Sequence, residues 1–192
     1  MFDIDWKKEV FTIPNILSLL RLLLIPVYVI IYLNASQPRE YFIAGTILTV
    51  SCLTDLIDGQ IARRFNMVSN LGKVLDPFAD KATQFALILC LSVKYRSMFY
   101  VLFLFLTKEF FQLVLAWSQF RRGKVLSGAL AAGKICTALL FLSLILLVLL
   151  PNLKDKIINI IVLVDLLCLS FAFIQYVFAF LGKNAKVQDF EP

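Results

Sequence analysis

The 192-residue chain contains no histidine, which excludes chemistry that depends on an imidazole near neutral pH. Its four cysteines, Cys52, Cys90, Cys136 and Cys168, stand singly inside apolar stretches with no C-x-x-C spacing, so neither a disulfide framework nor a zinc site is indicated. Any metal must then be held by oxygen. Glycine is scarce at seven residues and charge is confined to 17% of the chain, against 60% apolar residues and a mean hydropathy of +0.86. That composition does not suit a water-soluble domain and indicates an integral membrane protein.

Charge is nearly missing from residues 14–33, 41–54, 82–93, 97–107, 125–150 and 157–182. Several of these runs reach the roughly 20 residues that carry a helix across about 30 Å of hydrocarbon. The pattern predicts an all-α integral membrane protein with six transmembrane helices over residues 13–182, the second and third extended by polar sequence. No internal repeat or second domain is visible, so residues 1–192 are read as one membrane domain. The opening MFDIDWKKEVFTIPN lacks the short apolar core and small-residue site of a cleaved signal. Phe2, Trp6, Val10 and Phe11, with Lys7 and Lys8 beside them, predict a short interfacial helix over residues 1–12; the plainer alternative is a polar tail. Residues 183–192 are expected to form a cytoplasmic tail.

Six spans put both termini on one side of the membrane. That side carries Lys7, Lys8, Arg63, Arg64, Lys73, Arg121, Arg122, Lys124, Lys183 and Lys186, whereas the other has only Arg39, Lys94, Arg96, Lys154 and Lys156. The excess predicts a multi-pass protein of the cell membrane with both termini in the cytoplasm. The net charge of +6 is then mostly an orientation signal that also favours anionic lipid headgroups, and nucleic acid is not needed as a partner.

One polar stretch interrupts the apolar pattern: DLIDGQIARRFNMVSNLGKVLDPFAD, residues 55–80. On a helix, Asp55, Asp58, Gly59 and Ala62 share an arc of about 100°, so one face carries two acids and two small residues. Asp76 and Asp80 also share a face; Pro77 suits the first position of a helix capped by Asp76, or would kink a helix that begins earlier. The intervening residues let the second pair fold back opposite the first, placing four carboxylates around one cleft at the cytoplasmic membrane surface. Two divalent cations, Mg²⁺ or Mn²⁺, would offset their repulsion and suit an all-oxygen donor set. Two bridged metals form a clamp for a diphosphate undergoing in-line displacement. Gly59, Ala62 and Gly72 leave room for a ligand, and Arg63 is placed to meet phosphate or a nucleotide. The alternative is structural: the aspartates cap helices and pair with Arg63, Arg64, Lys73 and Lys81 at a wet interface.

The spacing Asp55-x-x-Asp58-Gly59-x-x-Ala62-Arg63, eight residues, Gly72-x-x-x-Asp76-x-x-x-Asp80 resembles the signature of the CDP-alcohol phosphotransferases (CDP-alcohol phosphatidyltransferases), with every signature position filled. The resemblance implies a six-helix protein, a homodimer, and attack of an alcohol on the β-phosphorus of a CDP-linked lipid such as CDP-diacylglycerol, with CMP leaving. It implies that Asp55, Asp58, Asp76 and Asp80 bind the metals and that Asp80 is the general base. Asp58, Gly59, Ala62, Arg63 and Gly72 would accommodate the CMP part.

IPNILSLLRLLLIP, residues 13–26, and GKVLDPFADK, residues 72–81, look like segments of bacterial phosphatidylglycerophosphate synthases, which makes glycerol 3-phosphate the first choice of acceptor. Arg21 either faces the site or a carboxylate, or snorkels to the inner headgroups. Lys108 and Glu109, in the fourth apolar run, and Lys134, in the fifth, are the candidate acceptor-binding residues; Lys108 could instead simply pair with Glu109 or Asp165. SGALAAG, residues 127–133, reads as a helix-packing surface. The resembling synthases usually have Arg-Glu where Lys108-Glu109 stands and a second lysine where Cys136 stands. A less charged acceptor is therefore credible, including phosphatidylglycerol, as in a CMP-forming cardiolipin synthase, or inositol phosphate or serine. A membrane prenyltransferase would also use paired acids with Mg²⁺, and a cation transporter would also need intramembrane acids. Neither accounts for the glycine and arginine spacing.

Overall fold

The computed structural model describes residues 13–64, 72–121, 124–126, 131–181 and 187–189; the interfacial helix expected over residues 1–12 lies outside them. The elements are α1 Ile13–Asn34, α2 Pro38–Arg64, α3 Gly72–Lys94, α4 Met98–Phe120, β1 Lys124–Leu126, α5 Ala131–Leu149, α6 Asp155–Leu181 and β2 Val187–Asp189. The six helices agree with the all-α expectation. The strand pair was not foreseen: β1 and β2 run antiparallel with Lys124 opposite Asp189, Val125 opposite Gln188 and Leu126 opposite Val187. The apolar run expected to begin a helix at residue 125 therefore starts as a strand, and part of the expected tail is its partner.

Local chemistry explains the helix ends. The Asn34 side chain donates to the Ile30 carbonyl at 2.7 Å where α1 stops. Pro38 opens α2, and the Glu40 carboxylate reaches back to accept from the Ser36 and Gln37 N–H groups at 2.6 and 3.1 Å. This is the reciprocal half of a capping box, with proline at the first helical position. Those two backbone bonds hold the exposed Glu40 carboxyl below the usual glutamate range. The sign follows: a lowered folded-state pKa contributes stability above the ordinary glutamate pKa, and that contribution is lost as pH falls through the lowered value. Glu40→Gln should therefore unfold more readily than wild type at neutral pH, with the gap closing as pH falls below the ordinary glutamate range. A gap independent of pH in detergent unfolding curves would contradict the cap.

The helices form two compact units. One holds α1, α2, α3 and the last turn of α5. There α1 packs on both α2 and α3. Gly45 lets α2 approach closely, because a Cβ there would stand 2.7 Å from Leu149 Cδ2 and 3.2 Å from Val148 Cγ1. Away from the acidic segment, Tyr32 packs edge-on against Tyr41 at 5.1 Å, and the Lys94 ammonium lies 3.7 Å above the Tyr41 ring. This cation–π contact joins the end of α3 to the start of α2. The second unit holds α4, most of α5, α6 and the strand pair, with α4 packed on α6 through Phe111 and Phe173, edge to face at 5.1 Å. Tyr176 of α6 lies 3.6 Å from where a Gly133 Cβ would be, so the small residue at the start of α5 admits the ring.

Among the described residues, three segments are long and apolar enough to cross a membrane: Asn15–Asn34, Met98–Ser118 and Asp155–Phe178. The distribution of side chains is inverted relative to a water-soluble protein. Leu23, Phe103, Phe110, Leu142 and Phe178 are exposed, whereas Asn15, Ser18, Arg21, Thr83, Gln84, Lys108 and Asp165 are buried. Outward apolar faces are at ease in hydrocarbon, and polar groups there must find partners inside.

Candidate functional site

Three polar residues follow one another at intervals of three along the start of α1: Asn15, Ser18 and Arg21, all buried. That spacing keeps them on one side of the helix. They face α3. Ser18 Oγ donates to Asp76 Oδ1, and Arg21 donates to Asp80 Oδ1 at 2.6 Å. Because residue numbers rise together on both helices, α1 and α3 run parallel here, with their polar starts at the same end. Arg21 is 4% exposed and Asp80 51% exposed, so the guanidinium lies inside and the carboxylate at the rim. Of the two expectations for Arg21, pairing with a carboxylate is the one observed.

Asp80 precedes the apolar stretch 82–93, and its carboxyl is pushed above the usual aspartate range. Burial is the main cause and Asp76 adds to it, while the Arg21 guanidinium and Lys81 pull the other way. Cys52 of α2, one turn before Asp55, lies within electrostatic reach of both Arg21 and Asp80. Cys52 thus places one point of α2 near the contact of α1 with α3, and neither Ser18 nor Cys52 is a candidate site residue by sequence. The period of three in Asn15, Ser18 and Arg21 was the signal that could have found Ser18.

The cap expected at Asp76 is not formed. α3 begins at Gly72, so Asp76 and Pro77 lie inside the helix. Pro77 leaves the Lys73 carbonyl without its helical donor, a cost confined to the first turns. The gain is that the Asp76 side chain projects from a regular helix toward Ser18 instead of bonding to its own backbone. Asp76 and Asp80, one turn apart and both partly open, offer hard oxygen donors of the kind Mg²⁺ or Mn²⁺ takes.

Asp55, Asp58, Gly59, Ala62 and Arg63 belong to the helical run of α2, which continues to Arg64 as the shared-face argument requires; their side chains lie outside the described residues. Among the described residues no three acidic or cysteine side chains converge, since two of the four expected carboxylates are not part of that set. Gly72 is buried at the first position of α3.

In the second unit, Lys108 is 3% exposed and its ammonium donates to Glu109 Oε1 at 2.6 Å. Asp165, the other partner considered for Lys108, is engaged by Ser143, whose Oγ lies 2.7 and 2.8 Å from its two oxygens. Cys136 is buried on α5. The Lys134 side chain lies outside the described residues.

The model of a family described as CDP-alcohol phosphatidyltransferase matches residues 11–180. A probable phosphatidylglycerophosphate synthase of Mycobacterium tuberculosis (strain H37Rv) is 31% identical over 125 residues, covering 64% of this chain and 60% of the relative. A CDP-diacylglycerol–glycerol-3-phosphate 3-phosphatidyltransferase of Bacillus subtilis is 37% identical over 82 residues, covering 37% of this chain and 42% of the relative. A CMP-forming cardiolipin synthase of Streptomyces coelicolor is 41% identical over 75 residues, covering 38% of this chain and 35% of the relative. The chain thus spans 60% of the first of these proteins and less than half of the other two.

Proposed function

We propose, because the chain belongs to the CDP-alcohol phosphatidyltransferase family, that it transfers the phosphatidyl group of CDP-diacylglycerol to an alcohol and releases CMP. The observation that carries this reading is the gathering of Asp76 and Asp80 on one face of α3, held by Ser18 and Arg21 of α1 and joined by Cys52 just before Asp55 on α2. Asp55, Asp58, Asp76 and Asp80 would hold two divalent cations, Mg²⁺ or Mn²⁺. When bound, these neutralise the diphosphate and stabilise CMP as leaving group. Asp80 takes the proton of the acceptor hydroxyl as its oxygen forms the new bond to the β-phosphorus and the bond to CMP breaks. Arg21 aims the Asp80 carboxylate and opposes the effect of burial on it. Asp58, Gly59, Ala62, Arg63 and Gly72 accommodate the CMP moiety.

In this reading all six helices span the cell membrane, with both termini and the acidic cleft on the cytoplasmic side and the protein a homodimer. Glycerol 3-phosphate is the favoured acceptor, because relatives from M. tuberculosis and B. subtilis carry names of that activity; Lys108, paired with Glu109, and Lys134 are the candidate residues for its phosphate. The S. coelicolor relative and the missing lysine at Cys136 support phosphatidylglycerol as the second choice. The deciding experiment offers the purified protein CDP-diacylglycerol with Mg²⁺ and, in turn, glycerol 3-phosphate, phosphatidylglycerol, inositol phosphate and serine, and identifies the lipid formed. Absence of CMP with every acceptor would remove the assignment and favour a transporter.

If a missing cation at residue 136 weakens phosphate binding, Cys136→Lys is expected to lower the apparent KM for glycerol 3-phosphate about fivefold, since one charge-assisted contact contributes about that or more. An unchanged KM in an inserted, monodisperse variant would rule that explanation out.

A further inference from the structure

The polar face of α3 does not end at Asp80. Asp76, Asp80 and Gln84 follow at intervals of four, so all three lie near one line on the helix, each about 6 Å beyond the last. Gln84 is 3% exposed, and its Oε1 has no hydrogen-bond partner among the described residues. Its neighbour Thr83 is equally buried but is satisfied within the helix, donating to the Ala79 carbonyl at 2.8 Å. Continuing the parallel register of α1 and α3 by one turn beyond Arg21 and Asp80 reaches Leu24 and Ile25, which have no polar side-chain group to offer.

Buried amide oxygens are seldom left unmet. Helical side chains lean toward the N-terminus, and glutamine is one methylene longer than aspartate. One turn beyond Asp80, a Gln84 side chain that follows this lean brings its amide toward the turn that carries Asp80. It presents an acceptor for a hydroxyl group beside the carboxylate assigned as base.

We propose that Gln84 is a specificity residue that accepts a hydrogen bond from the non-reacting hydroxyl of a vicinal-diol acceptor while the adjacent hydroxyl is held at Asp80. This rests on the transferase reading above. The recognised chemistry is a glycerol-type 1,2-diol, which occurs both as free glycerol 3-phosphate and as the glycerol headgroup of phosphatidylglycerol. A mono-alcohol leaves Oε1 unmet, so it is disfavoured by the loss of a bond the site is built to make.

The test compares kcat/KM for each diol with that for its analogue lacking the middle hydroxyl: glycerol 3-phosphate against 3-hydroxypropyl phosphate, and phosphatidylglycerol against phosphatidyl-1,3-propanediol, in CDP-diacylglycerol vesicles with Mg²⁺. The wild type is expected to prefer one of the diols over its analogue by about tenfold or more. The pair that shows the preference identifies the source of the diol. In Gln84→Leu, and in the near-isosteric Gln84→Met if the leucine variant does not insert, the preference should collapse toward one. A wild type that uses diol and analogue equally, or a variant that keeps the wild-type preference, overturns the role of Gln84 and leaves the transferase reading standing. A wild type that releases no CMP with any acceptor removes the transferase reading, and the role of Gln84 with it.

Discussion

Asp76→Asn is expected to lower metal-dependent CMP release by on the order of 10³-fold, the scale lost when a charge that organises transition-state electrostatics is removed. The substitution keeps the side chain's shape, and the Ser18 hydroxyl that donates to Asp76 Oδ1 can donate equally to the amide oxygen of asparagine. The α1–α3 contact should therefore survive, so the loss should appear in turnover and in Mn²⁺ binding followed by spin resonance, with insertion and dispersity unchanged. Asp55→Asn should behave alike from the other half of the signature. Wild-type turnover from either variant would sink the metal assignment, whereas loss of both turnover and insertion would show that the residue is structural.

The second large effect is expected at Arg21. Its guanidinium is buried at 4% exposed, while its partner Asp80 is half open, so the pair contributes little to stability once solvent screening is allowed for. What the pair does is orient. Arg21→Met should reduce kcat by about 10- to 100-fold, the range typical for losing a group that positions a metal ligand, with a smaller change in the KM for CDP-diacylglycerol. Arg21→Lys should recover part of the loss, because the ammonium restores charge without the planar fork. Equal activity in all three proteins would mean that the ion pair is incidental. Failure of lysine to recover anything would mean that the guanidinium acts by shape rather than by charge.

The candidate residues of this site are legible in the sequence as an expectation. Asp55, Asp58, Asp76 and Asp80 stood out because carboxylates beside long apolar runs are costly and therefore need a reason. The helical period then assigned them to faces. Arg21 was legible as an anomaly but not as an interaction, since a cation two turns into an apolar helix satisfies either of two physical solutions. Lys108 posed the same problem. Glu109 is its partner and Asp165 is held by Ser143, a choice that depends on how α5 and α6 present Ser143 and Asp165 to each other.

The sequence by itself determined the membrane class, six helical segments, and which residues share a face, because composition and periods of three to four residues are local properties of the chain. Tertiary structure alone decided that α3 begins at Gly72 and passes through Pro77, that Ser18 and Arg21 meet Asp76 and Asp80, and that residues 124–126 pair with 187–189. Each of these depends on register between elements distant in sequence. Such register follows from the packing of whole helix faces, and no local period encodes it.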